Sequence, residues 1–261
     1  MSLFQIIILA LVEGLTEYLP ISSTGHLILA INVMGITPSA FTKTLTVAIQ
    51  FGAIAAVLVL YWKRFFQSFN FYFTIFVAFL PAAVIGLLFE SEIDALLESV
   101  EAVGVMLIVG GVVFLFLDKW FNKPGELEFP SYLRAFFIGL FQCLALIPGT
   151  SRSASAIVGG LTQKLTRKGT AEFSFFLAVP TLFGAGLYKL YKYYSLHRGF
   201  TSSEISLLAI GNVISFVVAV FAIRGFIQYL TSHGFKIFGY YRIAAGVLVL
   251  VMHYFYRLSL V

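Results

Sequence analysis

Two apolar regions of this sequence, residues 2–34 and 133–163, are each interrupted by proline and a cluster of polar residues. The first interruption reads E-G-L-T-E-Y-L-P-I-S-S-T-G-H over residues 13–26, and the second reads P-G-T-S-R-S over residues 148–153. Proline lacks a backbone donor and clashes with the preceding turn, so each region predicts two short helices around a bend. At membrane depth, irregular backbone persists only where protein buries it or a wet cavity faces it. We therefore expect two re-entrant helical hairpins.

The remainder of the chain is apolar enough to lie in a membrane. Only 11% of the 261 residues are charged and the mean hydropathy is +0.96, whereas soluble domains carry about 25% charged residues. Apolar runs close to the ~20 residues that a bilayer requires recur along the chain. We predict an all-α polytopic membrane protein, a single integral membrane domain with no nucleic-acid partner. The six predicted spans are 45–61, 70–90, 102–121, 172–193, 206–227 and 239–258.

The two interrupted regions resemble each other. Aligning Pro20 with Pro148 places P-I-S-S-T-G-H over P-G-T-S-R-S-A, an offset of 128 residues, and three predicted spans follow each interruption. This predicts an internal duplication, with repeats of about 1–128 and 129–261. An odd number of crossings inverts the second repeat, and inverted repeats with broken helices place their site near the membrane midplane. The alternative is chance similarity between two apolar segments.

The distribution of the 17 Lys and Arg residues predicts the orientation. Because basic residues favour the cytoplasmic side, the face that collects most of them should be cytoplasmic, with both termini outside. The first hairpin then enters from outside and the second from the cytoplasm. The predicted cytoplasmic residues are Lys63, Arg64, Lys119, Lys123, Arg134, Lys164, Arg167, Lys168, Arg224, Lys236 and Arg242. The predicted outer residues are Lys43, Lys189, Lys192, Arg198 and Arg257, with an acidic loop of Glu90, Glu92, Asp94, Glu98 and Glu101.

Glu13 and Glu17 are four residues apart, so a helix places them on one face. Ionisable groups at membrane depth cost about 2.5 kcal/mol or more on insertion scales, so they are rarely present without a function. A divalent cation between the carboxylates would remove their repulsion, and hard oxygen ligands suit Mg²⁺ or Ca²⁺. We predict a metal or acid/base function for this pair. The alternative is two carboxylates that hydroxyl groups satisfy, one of them protonated.

Hydroxyl groups and a histidine follow the first proline. Ser22, Ser23 and Thr24 come directly after the bend, and His26 lies three residues beyond Ser23. A helix that restarts near Ser23 or Thr24 offers free N–H groups to an anion. A serine with a nearby histidine can be an activated nucleophile, and the histidine can equally protonate a leaving group. Serine at such a position can alternatively cap the helix.

Arg152 lies in the second interruption among small and hydroxyl-bearing residues. An arginine with hydroxyls and free amides beside a helix start is typical of phosphate recognition. The alternative is a salt bridge to Glu13 or Glu17 across the repeats, which would also place Arg152 at the site. The neighbouring residues of the predicted phosphate-binding set are Gly149, Thr150, Ser151 and Ser153.

Carboxylates for a metal, hydroxyls with a histidine, and an arginine are the groups that phosphoryl transfer requires. Because they lie in a membrane protein, the substrate should carry a lipid tail. A secondary transporter or lipid flippase is the alternative, since inverted repeats with broken helices are transporter architecture. A structural assembly partner would leave the buried charges unexplained. Three polar residues within spans, Gln50, Asn212 and Ser215, are instead predicted to make interhelical hydrogen bonds.

On these two motifs the chain resembles the bacterial undecaprenyl-diphosphatase family, the BacA-type bacitracin-resistance proteins. The resemblance covers nearly the whole length and includes A-I-Q-F-G-A at 48–53, E-F-S-F-F-L-A-V-P at 172–180 and Y-R at 241–242. It implies six spans and two re-entrant hairpins in inverted repeats, in the bacterial plasma membrane. It also implies divalent-cation-dependent hydrolysis of a prenyl diphosphate, undecaprenyl diphosphate, to undecaprenyl phosphate and phosphate. The product is the lipid carrier of peptidoglycan synthesis.

The family's site residues transfer by motif position. Glu13 and Glu17 fall on the glutamates linked to metal and catalysis, and Ser23 falls on the serine proposed as nucleophile or phosphate ligand. His26 is the motif histidine, and Arg152 is the phosphate-binding arginine. Two questions stay open at this point: whether Ser23 or a metal-bound water attacks, and whether the protein is a monomer or a homodimer.

Overall fold

The computed structural model of the chain is built from α-helices. The structure describes residues 1–37, 39–66, 68–97, 99–123 and 125–256. The predictions for Glu98, in the acidic segment, and for Arg257, near the end of the last predicted span, lie outside these described residues. In chain order the helices are α1 (Leu3–Thr16), α2 (Ser23–Val33), α3 (Ala40–Ala48), α4 (Gln50–Leu60), α5 (Trp62–Phe65), α6 (Phe69–Leu88), α7 (Glu90–Leu97), α8 (Val100–Trp120), α9 (Tyr132–Gln142), α10 (Arg152–Thr162), α11 (Arg167–His197), α12 (Ser202–Ser232) and α13 (Lys236–Tyr256).

The six predicted spans are confirmed. Within the described ranges, six helical segments are long and apolar enough to cross a membrane. Helices α3 and α4 form the first segment, because the single residue between them, Ile49, keeps an α-helical backbone. The segments are Ala40–Leu60, Phe69–Leu88, Val100–Trp120, Arg167–His197, Ser202–Ser232 and Lys236–Phe255.

Helices α11 and α12 are longer than the predicted spans, at 31 residues each. Polar N-caps start both helices before the apolar run begins. The Thr166 hydroxyl accepts a hydrogen bond from the Gly169 N–H, and Thr201 forms a capping box with Glu204. Such caps satisfy the free N–H groups of the first turn and typically contribute about 1 kcal/mol. The helices therefore begin at their capping residues rather than at the hydrophobic boundary.

Both interrupted regions form two short helices around a bend, as predicted. The first is α1 and α2, and the second is α9 and α10 with a 3₁₀ turn, Cys143–Leu146, after α9. Three of these helices have 11 residues, which rise about 16 Å. That is about half of the ~30 Å hydrocarbon core, so a single one cannot cross it. Their re-entrant placement in the bilayer stays a prediction.

Helix packing brings the two bends to the centre of the molecule. Helix α13 packs along α8, α1 packs on α12, and α6 packs on α9, while α10 lies against α11. The segment Thr170–Ala178 of α11 is buried at every residue, as expected of a helix surrounded by others. Phe175 in this segment makes an edge-to-face contact with Tyr18 in the first bend, with ring centres 5.2 Å apart. The first bend therefore rests on α11.

The structure corrects two predictions about charged residues and one about a polar residue, and it confirms another about a polar residue. The acidic segment predicted as a loop forms helix α7. Arg242, predicted at the cytoplasmic surface, is 0% exposed within α13. Asn212 makes its predicted interhelical hydrogen bond, because its Oδ1 accepts from the Gly52 N–H at 2.6 Å. Ser215 does not: its buried hydroxyl has no partner in the described structure.

Candidate active site

The two bends share an unusual backbone geometry. Ser22 precedes α2 with φ 69°, and Ser151 precedes α10 with φ 73°. Positive φ at a non-glycine residue costs about 1–3 kcal/mol and often occurs at functional sites. Helix restart near Ser23 is confirmed, and Ser151 caps its helix by accepting from the Ala154 N–H at 3.3 Å. The Ser22 side chain forms no such hydrogen bond, so helix capping does not explain the presence of a serine at this position.

Glu17 is the centre of the polar cluster. Its Oε2 accepts a hydrogen bond from the Ser23 hydroxyl at 2.6 Å, and its Oε1 accepts from Arg152 Nη2 at 3.0 Å. Only 5% of the Glu17 side chain and 9% of the Arg152 side chain are exposed. The two bends, 135 residues apart in sequence, therefore meet through one buried carboxylate. The alternative of a salt bridge is realised, and it involves Glu17.

Arg152 is held in place on its other side. Its Nη1 donates to the Ser174 carbonyl oxygen at 2.8 Å and lies 3.3 Å from the Ser174 hydroxyl. The guanidinium carbon lies 5.8 Å from the centre of the Tyr18 ring, within range of a cation–π interaction. The Nε of Arg152 is buried and has no partner in the described structure. The guanidinium is thus fixed in orientation, and one of its donors has no partner within the described structure.

A cavity of about 200 Å³ opens at this cluster. Ligand pockets for drug-sized molecules are about 300–1,000 Å³, so this cavity suits a head group rather than a whole lipid. Sequence reasoning missed two polar residues in its wall, Gln142 and Thr181. It singled out Gln50 but predicted an interhelical hydrogen bond for it, whereas the structure places Gln50 in the cavity wall. The lining residues are Glu17, Ser22, Ser23, Thr24, Gln50, Ala82, Gln142, Ala145, Leu146, Pro148, Gly149, Ser151, Arg152, Thr181 and Leu182.

Glu13 lies one helical turn before Glu17 and is completely buried. No group meets strict hydrogen-bond geometry at either carboxylate oxygen in the described structure, although the Gln50 amide and the Glu17 carboxyl group interact with the Glu13 carboxyl group. An isolated buried carboxylate is costly, so it requires a proton or a cation. Among the described residues, no group of three or more His, Cys, Asp or Glu side chains gathers at one point. Two carboxylates fit Mg²⁺, which proteins often bind through one or two carboxylates, water and substrate phosphates.

His26 lies behind the first bend and does not line the cavity. Its Nδ1 is 2.7 Å from the Ser22 carbonyl oxygen, and its Nε2 is 2.8 Å from the Tyr241 hydroxyl. A carbonyl oxygen only accepts, so Nδ1 carries a proton and donates to Ser22. The Ser23 hydroxyl is bound to Glu17 instead. The structure therefore places the carboxylate, not the imidazole, beside the predicted nucleophile.

The remaining predicted residues divide into two sets. Thr24, Ser151 and Gly149 line the cavity. Gly149 has φ 86°, and a Cβ there would lie 2.4 Å from the Val103 carbonyl oxygen, so the position requires glycine. Thr150 and Ser153 do not line the cavity, and each has a buried hydroxyl without a partner in the described structure.

Sequence comparison identifies the family of the chain. A family model described as bacitracin resistance protein BacA matches residues 6–248. The chain belongs to the BacA family. The matched range contains both bends and all of the residues that line the cavity.

Three relatives that match over nearly their whole length are each named undecaprenyl-diphosphatase. The chain is 56% identical to an undecaprenyl-diphosphatase of Flavobacterium psychrophilum, over 98% of this chain and 97% of the relative. It is 53% identical to that of Flavobacterium johnsoniae, with the same two coverages. It is 48% identical to that of Porphyromonas gingivalis, over 97% of both chains. Family membership therefore rests on whole-chain similarity as well as on the two motifs.

Proposed function

We propose that this BacA-family protein is a membrane phosphatase that hydrolyses undecaprenyl diphosphate to undecaprenyl phosphate and inorganic phosphate. The observation that carries the proposal is the meeting of Ser23 and Arg152 on Glu17 in a buried, head-group-sized cavity. A hydroxyl, a carboxylate and a guanidinium in contact supply a proton acceptor, a candidate nucleophile and a phosphate ligand. Relatives named undecaprenyl-diphosphatase support the choice of substrate.

Arg152 binds and orients the diphosphate in this mechanism. Its free Nε, and the Nη2 now shared with Glu17, donate to phosphate oxygens. A planar guanidinium suits this task because it offers paired donors at fixed spacing. Charge on the transferring phosphoryl group is stabilised by the same contacts, which is the main source of catalysis in phosphoryl transfer.

Glu17 is the base. Its Oε2 accepts a hydrogen bond from the Ser23 hydroxyl at 2.6 Å, so it is placed to take the proton of the attacking group, and two routes follow from that contact. Either the Ser23 oxygen attacks the terminal phosphorus and water later cleaves the phosphoserine, or Ser23 orients a water molecule that attacks. In both, the bond from the terminal phosphorus to the bridging oxygen breaks and undecaprenyl phosphate leaves. Trapping a phosphoenzyme at single turnover separates the two routes.

Glu13 and Glu17 would hold the divalent cation, Mg²⁺ or Ca²⁺. A cation bound there would supply positive charge to offset the negative charge of a diphosphate. The burial of Glu13 next to Glu17 supports this assignment, because two neighbouring buried carboxylates repel each other unless a proton or a cation compensates their charge. His26 as a general acid stays a prediction. Its contacts with Ser22 and Tyr241 favour a role in holding the strained turn.

The inverted duplication is part of the proposal. Ser22 and Ser151 are 129 residues apart, and so are the next positive-φ residues, Gly35 and Lys164. This register is one residue longer than the proline alignment indicates. The contact of α1 with α12 has its counterpart in that of α9 with α6. Two inverted repeats facing each other account for these equivalences. The placement of both termini outside the bacterial plasma membrane rests instead on the distribution of Lys and Arg.

The test is phosphate release from undecaprenyl diphosphate by the detergent-purified protein, with and without EDTA. We expect release that EDTA abolishes and Mg²⁺ or Ca²⁺ restores. Glu17→Gln should remove activity, whereas Glu126→Gln, on an exposed residue that does not line the cavity, should not. Transport of the lipid in vesicles without phosphate release would replace hydrolysis by flipping. Release that EDTA leaves unchanged would remove the metal from the proposal.

A further inference from the structure

Arg242 of α13 is buried among backbone carbonyl groups. It is 0% exposed, and its guanidinium donates to four carbonyl oxygens. Nη1 donates to Pro20 at 3.0 Å, and Nη2 lies 3.1 Å from the carbonyl oxygens of Met106, Gly149 and Thr150. Pro20 belongs to the first bend, and Gly149 and Thr150 belong to the second. One side chain thus joins both bends.

Its surroundings are shaped for a guanidinium. A Cβ at Gly110 would lie 2.1 Å from Arg242 Nη2, so only glycine in α8 leaves room for the side chain to reach the bends. The guanidinium carbon lies 5.8 Å from the Phe114 ring centre. Its hydrogen bonds all go to neutral carbonyl groups rather than to a carboxylate. A charge in that position is costly to bury, so it requires a compensating function.

We propose that Arg242 is a positioning residue that holds the two bends in the register required for catalysis. The inference rests on the proposed function, since it concerns the same cavity. Each carbonyl that Arg242 holds in a bend is close in sequence to a site residue: Pro20 precedes Ser23 by three residues, and Thr150 precedes Arg152 by two. Releasing these carbonyls lets the bends separate, and Arg152 then leaves Glu17.

Arg242 acts through geometry and not through its charge alone. It does not line the cavity, so it does not touch the substrate. A lysine keeps the charge, but its compact ammonium cannot span carbonyls from both bends as the planar fork does. Displacement of reacting groups by about 1 Å can lower the rate about 100-fold. Substituting Arg242 should therefore reduce kcat more than it changes KM.

The experiment compares four single variants and one double variant, Gly110→Ala with Arg242→Gln, with the wild-type protein in detergent. Arg242→Lys and Arg242→Gln should each lower kcat by about 10- to 100-fold, with KM changed less than about threefold. Gly110→Ala, which displaces the guanidinium, should lower kcat in the wild-type background and have little further effect in Arg242→Gln. Arg134→Gln is the matched control. Arg134 also donates to a carbonyl of the second helical pair, Gln163, but at its far end.

Hydrogen exchange supplies a readout that does not depend on activity. Amide exchange should become faster in peptides covering residues 17–23 and 147–152 of the Arg242 variants, and remain unchanged in Arg134→Gln. If Arg242→Gln does not fold, Arg242→Lys and Gly110→Ala carry the test, because both retain a buried cation. Wild-type kcat in Arg242→Lys, an effect on KM alone, or unchanged exchange in both bends would overturn the inference. A wild-type protein without phosphatase activity would instead overturn the proposed function.

Discussion

The two bends have the same backbone geometry and different chemistry. In each, a serine with positive φ precedes a new helix, and its carbonyl oxygen accepts a side-chain hydrogen bond from four residues later. The donor is His26 in the first bend, at 2.7 Å, and Ser155 in the second, at 3.0 Å. The first residue of the new helix differs: it is Ser23 after the first bend and Arg152 after the second.

This difference shows how one carboxylate joins the two halves. Ser23 and Arg152 occupy equivalent positions, and each donates to one oxygen of Glu17. The residue equivalent to Glu17 in the second half, 129 positions later, is the apolar Leu146. Matching bends bring two helix starts to one point, and divergence at two pairs of equivalent positions places an acid, a hydroxyl and a cation at that point.

A substitution that makes the helix starts after the two bends alike should have the largest effect on kcat. Arg152→Ser places serine at both helix starts and removes the phosphate ligand. We expect kcat to fall about 1,000-fold, the lower end of the effect of a transition-state arginine. Phosphate release from undecaprenyl diphosphate measures it, with Arg134→Ser as the matched control. Retention of more than a tenth of the activity would show that the arginine does not bind the transferring phosphoryl group.

Breaking the ion pair between Glu17 and Arg152 should have the next largest effect, a decrease in the free energy of unfolding. Glu17→Gln leaves Arg152 buried without its carboxylate, and loss of one partner of a buried pair costs about 3–5 kcal/mol. Glu17→Gln with Arg152→Gln removes both charges, so it should be more stable than either single variant. Thermal unfolding in detergent provides the comparison. A double variant that melts at the sum of the two losses would mean that the charges are not coupled.

Replacing His26, which donates to the Ser22 carbonyl oxygen, should have a moderate effect on kcat. His26→Ala removes the bond to Ser22, and we expect kcat to fall about tenfold, the upper range for one hydrogen bond. His26→Ser should retain most activity, because Ser155 makes the same contact at the second bend. The dependence of kcat on pH should also be unchanged in His26→Ser. Loss of one limb of that profile would instead identify His26 as a proton donor.

The corresponding change at the second bend should be the smallest. Ser155→Ala removes one neutral hydrogen bond to Ser151, worth about 0.5–1.5 kcal/mol. Ser151 also caps α10 through its own side chain, which Ser22 does not do for α2. We expect kcat to fall less than about fivefold in the phosphate-release assay. An effect larger than that of His26→Ala would show that the second bend is the less stable one.

The sequence by itself determined the spans, the two bends and the candidate residues. Apolar length and proline chemistry act locally, so they predict helices and breaks without knowledge of tertiary contacts. The spacing of Glu13 and Glu17 on one helical face is local in the same way. Pairing of the two prolines also predicted that Arg152 would reach the first bend, although it did not specify which carboxylate would bind it.

Only the tertiary structure decided which groups contact each other. Hydrogen bonds join Arg152 to Ser174, His26 to Tyr241, and Arg242 to both bends. These partners are separated by 22 to 222 residues in sequence. A buried arginine and a loop arginine look alike in sequence, so Arg242 was counted with the surface charges. Its buried position depends on the space left by Gly110 in a neighbouring helix, and no local sequence pattern predicts that space. Side-chain partners in a packed membrane protein are set by how helices approach, which sequence periodicity does not encode.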